Sequence, residues 1–192
     1  MTRFFANACA ALLCLTLAQV AHADAAASKN FVDGLAKQVL NIVQADGDKA
    51  ARTRKIEAIF ANKVDINFVA KFAMGKHWRT ATPEQRSAYV AAYKPFILKN
   101  YAGRLARYSG QTYAIKGARS DGPVDLVSME INDTNGQKVL VDYRVSGGKI
   151  NDIIVEGVSL LATQRSEFSS IIDQKGIDGL IDALKSQVAA QS

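Results

Sequence analysis

The hydrophobic period of this chain changes at Ser109-Gly110, and little else in the sequence constrains the fold as strongly. Before that point apolar residues recur every three or four positions. After it they alternate. A period near 3.6 buries one stripe of a helix and a period of 2 buries one face of a strand. A chain that switches once, and then returns to helix, predicts a helical segment folded over an antiparallel sheet: an α+β architecture.

The helical half divides at its breakers. Phe31, Leu35, Val39 and Ile42 form a first stripe, widened by Val32 and Val43 and ended by Asp46-Gly47-Asp48. An alanine-rich linker is expected before it. A second helix is expected from about 49 to 62 with Ile56, Ile59 and Phe60 inward. A third is capped by Asp65, turns Ile66, Val69 and Phe72 inward, and stops at Gly75. Thr82-Pro83-Glu84-Gln85 then combines a capping box with proline in the first turn. The helix it starts is long. Tyr89, Tyr93, Phe96, Ile97, Tyr101, Leu105 and Tyr108 share one face, and Pro95 inside it predicts a kink. Aromatic residues crowd this region.

Strands are expected at about 112–118, 124–132, 137–146 and 149–156, giving a curved sheet of about four strands covered on one face by helices. Asn135-Gly136 and Gly147-Gly148 supply the turn chemistry of the last two hairpins. A three-residue loop at 134–136 sets Ile131 opposite Val139, Met129 opposite Val141 and Val127 opposite Tyr143. A two-residue turn at 147–148 sets Val145 opposite Ile150, Tyr143 opposite Asp152, Val141 opposite Ile154 and Val139 opposite Glu156. One sheet face then collects Val127, Met129, Ile131, Val139, Val141, Tyr143, Val145, Ile150 and Ile154, the face the helices should cover. Two helices, near 162–173 and 177–189, close the chain.

The first residues have a different character. Arg3, the apolar run Ala8–Val20 and the small-residue site Ala21-His22-Ala23 have the layout of a cleavable secretory signal, 1–23. The run is too short to span a bilayer core, which needs about 20 residues. The mature chain is then a single domain, 24–192: helical 28–108, sheet 112–156, C-terminal helices 162–189. Cleavage removes Cys9 and Cys14, both of the chain's cysteines, so disulfides and thiolate metal sites are excluded. It also removes one of 24 basic residues and none of 18 acidic ones, so the net charge falls from +6 to +5. An exported basic domain seldom meets nucleic acid but does meet anionic lipid.

Several stretches carry a resemblance. Phe72-Ala73-Met74-Gly75-Lys76-His77-Trp78-Arg79 is followed by Ala81-Thr82-Pro83-Glu84-Gln85-Arg86. Tyr101-Ala102-Gly103-Arg104-Leu105, Val141-Asp142-Tyr143-Arg144 and Ile150-Asn151-Asp152-Ile153 come next. Then come Val155-Glu156-Gly157-Val158-Ser159-Leu160 and Gln164-Arg165-Ser166-Glu167-Phe168. Together, from about Ser28 to Val188, they resemble the MlaC-type (toluene-tolerance) family of periplasmic phospholipid carriers. The resemblance implies a cone related to nuclear-transport-factor-like folds and a role in outer-membrane lipid asymmetry. It implies a monomeric shuttle holding acyl chains inside, and docking to an outer-membrane lipoprotein complex and an inner-membrane ABC transporter. A hopanoid-associated branch shares the pattern, which leaves hopanoid open as the cargo.

The residues expected to touch lipid come from the two apolar faces: Tyr93, Phe96, Ile97 and Tyr101 on the aromatic helix, and Val127, Met129, Val139, Val141, Tyr143 and Ile154 on the sheet. Such a carrier needs no catalytic group, cofactor or metal. Lys94, Lys99, Arg104 and Arg107 offer a contact with a headgroup phosphate or an acidic partner surface, or else a solvated helix face. His77 reads as a lone histidine, Trp78 as an anchor, and Ser159 as the cap of the next helix. The rival is an enzyme of isomerase type, with Asp152 opposite Tyr143 on an apolar face acting as an acid or base. Against it stands an Asp152 ion pair with an arginine such as Arg165 or Arg104.

Overall fold

Helix starts and stops follow the local chemistry. In the computed structural model, which describes residues 19–106 and 110–191 (side chains from 25), α1 spans Gln19–Gln44 and α2 Lys49–Lys63. The Asp48 carboxylate accepts from the Ala51 N–H at 2.7 Å and starts α2. The expected alanine-rich linker is part of α1 instead. Ala25-Ala26-Ala27 carry the highest helix propensity and nothing among them breaks the turn. Of the signal-like segment, only the backbone of Gln19–Ala23 belongs to the described residues, as part of α1.

The third helix, α3 (Ile66–Met74), is capped by Asp65 and ends at Gly75, whose φ of +58° suits glycine. A short α4 (His77–Thr80) follows, then α5 (Pro83–Leu105), with Thr82 and Gln85 forming the anticipated capping box. Helix α5 runs through Pro95 as one element. The last helix, α6 (Leu160–Ala189), is interrupted at Gly176, at φ 72° and ψ 176°, which divides it where two helices were expected.

The sheet has five strands, β1 (Thr112–Asp121), β2 (Val124–Asn132), β3 (Lys138–Ser146), β4 (Lys149–Val155) and β5 (Val158–Ser159), in sequential antiparallel order. The fifth is two residues long and leads into Ser159, which caps α6 by accepting from the Ala162 N–H at 2.9 Å. The β2–β3 register is the one the Asn135-Gly136 loop predicts, including Val127 opposite Tyr143.

The β3–β4 register holds only at Val145–Ile150. Beyond it Asn151 is an extra residue in β4, so Arg144 faces Asp152, Tyr143 faces Ile153, Asp142 faces Ile154 and Val141 faces Val155. A bulge of one residue exchanges the faces of everything after it. Ile154 and Asp152 thus leave the apolar face, and Ile153 and Val155 take their places. A second bulge, at Lys116, has the opposite benefit: it brings Ala118 opposite Val127, beside Tyr113 and Ile115.

The core is not continuous. One cluster joins α3, the first half of α5 and α6 around Tyr89, Tyr93 and Phe168. A second joins α1, α2 and the end of α5 through Val43, Ile56, Phe60 and Ala102. A third sets Val32 of α1 on Val127, Met129 and Val145 of the sheet. Phe72 belongs to none of them. It is 37% exposed and lies under the Arg165 guanidinium, 5.2 Å from the ring centre, because Ala70, Ala73 and Met74 occupy the inward side of α3 instead.

Candidate functional site: an apolar cavity among three packed clusters

The three clusters leave a cavity of about 200 Å³ between them. Helix α1 gives it one wall with Val32, Leu35, Ala36, Val39, Leu40 and Val43. Phe60, Val64, Ile66 and Val69 come from α2, α3 and the link between them. The second half of α5 contributes Ile97, Leu98, Tyr101 and Leu105. The sheet supplies Tyr113, Met129, Ile131, Tyr143, Ile150 and Ile153. Polar residues are few: Gln111, Thr112, Asn151, Asp152 and Gln164.

The expected contact residues separate into two groups. Ile97, Tyr101, Met129 and Tyr143 line the cavity. Tyr93, Phe96, Val127, Val139, Val141 and Ile154 do not. Tyr93 and Phe96 pack edge and face around Phe168, with ring centres 6.1 and 6.0 Å from it, and the Tyr93 hydroxyl donates to Gln164 Oε1 at 2.5 Å. They share a helix face with Tyr101, but the first half of α5 is covered by α6 and only its second half reaches the cavity. Val127 is fully buried beneath Val32. Val139 and Val141 lie on β3, whereas α1 packs chiefly on β1 and β2. Ile154 is turned away by the Asn151 bulge.

Sequence reasoning missed the wall that α1 forms. Its apolar stripe, Leu35, Val39 and Ile42 with neighbours, was legible as a buried face, but periodicity does not tell a packed face from one that borders a void.

The environment of each tyrosine is distinct. Burial raises the Tyr89 and Tyr93 hydroxyls well above their ordinary range, and both are satisfied, Tyr89 by the Ala70 carbonyl at 3.0 Å. Burial also raises Tyr101. Tyr113 is pushed up to about 12, first by burial and then by its hydrogen bond to the Asp33 carboxylate at 2.8 Å, which ties β1 to α1.

Asp152, proposed as an acid or base, is not opposite Tyr143. Its carboxylate accepts from Ser159 Oγ at 2.6 Å and from the N–H groups of Ile153 at 2.8 Å and Leu161 at 3.2 Å. Arg144 stands 3.6 Å away, in place of the Arg165 or Arg104 expected from the sequence. A carboxylate so engaged joins β4, β5 and the start of α6. Glu156, at the turn after β4, accepts from the Leu140 N–H. Lys94 and Arg104 are exposed, Lys99 donates to the Val188 carbonyl at 3.4 Å, and none of the three lines the cavity; Arg107 and Tyr108 lie outside the described residues. His77 Nε2 is 3.3 Å from Ser169 Oγ and 3.5 Å from the Asp173 carboxylate. Trp78 is covered by Arg86, 5.5 Å above its ring. Among the described residues no group of three or more His, Cys, Asp or Glu side chains is placed to hold a metal ion.

A family model described as MlaC protein matches residues 33–186. The chain belongs to the MlaC family. It is 25% identical over 137 residues to the intermembrane phospholipid transport system binding protein MlaC of Haemophilus influenzae, a match covering 67% of this chain. It spans 64% of that relative's length, just under two thirds. Among solved structures it is similar to a phospholipid-binding protein from Ralstonia solanacearum determined in complex with a phospholipid. The two share 28% identity and superpose with a TM-score of 0.73, over 85% of this chain and 97% of that one. The α+β fold read from the sequence is the fold that the chain shares with this phospholipid-binding protein.

Proposed function

We propose that this protein is a periplasmic phospholipid carrier, which takes lipid from one membrane complex to another with acyl chain held in the cavity between α1, α5 and the sheet. The observation that carries the reading is the cavity itself: apolar on nearly every side, and bordered by three clusters that are each well packed. The family and the lipid-bound Ralstonia neighbour support it.

The energetics explain why a carrier is needed. Moving one CH₂ from water into an apolar site gains roughly 0.8 kcal/mol, so two chains of about thirty groups face a barrier of roughly 20 kcal/mol or more to crossing water unaided. A void that stays dry and apolar removes most of that cost. The partners of this reading are an outer-membrane lipoprotein complex and an inner-membrane ABC transporter, and the signal-like 1–23 segment is its route to the periplasm. Its contact residues are Ile97, Tyr101, Met129 and Tyr143, joined by Leu35, Ala36 and Val39 of α1.

Organic extraction of the purified protein, followed by mass spectrometry, tests the reading. Phospholipid near one molecule per chain is expected. Protein that yields none, and takes up none from phospholipid vesicles, would defeat it.

A further inference from the structure

Charge is unevenly divided along this chain. Residues 49–106, which form α2 to α5, hold 12 basic and 3 acidic side chains, a balance of +9. Residues 110–191, the sheet and α6, hold 8 basic and 11 acidic ones, a balance of −3. The fold gathers part of the basic excess at one end. Helix α2 packs on the second half of α5, Ile56 and Phe60 against Ala102 and Ala106. The end of α6 lies beside the same half of α5, where Gln191 Nε2 donates to Asn100 Oδ1 at 3.0 Å. Lys49, Arg52, Arg54 and Lys55 come from α2, Lys94, Lys99 and Arg104 from α5, and Lys185 from α6. Against them stand Glu57 in α2 and, just ahead of that helix, Asp46 and Asp48, the latter engaged with the Ala51 N–H. Neither α5 beyond Glu84 nor α6 beyond Asp182 carries an acidic residue.

Several cations elsewhere are neutralised by a neighbour: Lys37 by Asp33, Lys76 by Asp173, Lys116 and Lys138 by Glu130, and Arg144 by Asp152. Lys49, Arg54, Lys55, Lys94 and Arg104 are exposed and form no ion pair among the described residues. Their surface also lacks apolar anchors. The exposed large apolar side chains, Phe68, Phe72, Leu140 and Val158, belong to α3, β3 and β5. A lasting protein interface depends on buried aromatic or aliphatic anchors at its centre. Cations with Ala50, Ala58 and Asn62 exposed between them supply none, and attract by charge alone. An anionic bilayer asks for nothing more, since each lysine or arginine near its surface strengthens binding about fivefold. Such attraction is screened over about 10 Å at 0.1 M salt, which keeps it reversible.

We infer that this basic end, formed by α2, the second half of α5 and the end of α6, docks reversibly on an anionic bilayer surface. The inference goes beyond the carrier reading and does not require it. The same two helices turn Phe60, Ile97, Leu98, Tyr101 and Leu105 toward the cavity, so docking sets one cavity wall against the membrane.

Flotation of the whole protein with lipid vesicles tests the docking. At low salt the protein should float with vesicles of equal parts phosphatidylglycerol and phosphatidylcholine and stay below with phosphatidylcholine alone. Salt at about 0.5 M should release it. Arg54→Gln, Lys55→Gln and Arg104→Gln together should weaken vesicle binding on the order of a hundredfold. Lys71→Gln, Arg119→Gln and Lys175→Gln remove the same charge from α3, β1 and α6, and together should weaken it by less than about tenfold. Circular dichroism checks that both variants fold. If the first does not, Lys55→Gln and Arg104→Gln, each expected to cost about fivefold, carry the test singly. Equal weakening by the two triple variants would mean that net charge binds and not this end, and overturns the inference. So does equal flotation with both kinds of vesicle. Absence of flotation overturns it too, and salt-sensitive retention on immobilised polyglutamate in that case assigns the end to an acidic protein. Extracted lipid is read separately: its absence defeats the carrier reading and leaves the docking standing.

Discussion

At the scale of single residues, the cavity makes sharp demands of some side chains and almost none of their neighbours. Ala36 lines the void whereas Val127, only one layer away under Val32, is fully buried in a packed cluster. Ala36→Trp should therefore fill the cavity, reducing copurified phospholipid several-fold while circular dichroism stays that of the folded protein. Val127→Ala should do the reverse, lowering stability by about 1–3 kcal/mol in urea unfolding with lipid content retained. Asp152 tests structure against catalysis. Asp152→Ala strands the Leu161 N–H in the interior and should cost about 1–3 kcal/mol. Asp152→Asn keeps volume and an acceptor oxygen, so it should cost less and leave lipid content unchanged. Tyr113 adds a dependence on alkaline pH. Its pKa is raised to about 12 in the fold and is about 10 in the unfolded chain, so the folded state holds its proton more tightly. The stability this contributes is complete below pH 10 and lost as pH rises to 12. Tyr113→Phe should flatten that part of the curve, leaving only the losses due to the other raised tyrosines, Tyr89, Tyr93 and Tyr101.

At the scale of elements, capping and turn chemistry were readable one segment at a time. Asp65, Thr82 with Gln85, and Ser159 all cap as their sequences suggest, since each acts within its own turn. The Asn135-Gly136 hairpin has its expected register for the same reason. The Asn151 bulge was not legible, because an extra residue in a strand is accommodated through the neighbouring strand and whatever packs on it. The break in α6 occurs at Gly176, between the two helices that the sequence suggests, in a backbone region essentially open only to glycine. A Cβ at Gly176 meets nothing within 4 Å, so its cost would be conformational alone. Gly176→Ala should lower stability by about 1–3 kcal/mol, measured as a shift of the denaturation midpoint with an unchanged slope.

For the whole molecule, a fold arranged around a void is stabilised by what fills it. A ligand that binds only the folded state adds about 2.7 kcal/mol at a hundred times its Kd. Delipidated protein should thus melt several degrees below the protein as purified, and addition of phospholipid should restore the difference. An unchanged melting temperature on complete delipidation would mean that the interior gains nothing from its guest. The chain's own residues determined the α+β class, the order of helices and strands, their caps and most of one apolar sheet face, because periodicity and turn chemistry operate over a few residues. Which apolar residues face a void and which face each other was decided only in three dimensions. Tyr93 and Tyr101 lie on the same helix face at the same spacing; one is packed by α6 and the other borders the cavity, since the difference lies in the neighbouring elements and not in the helix that carries them.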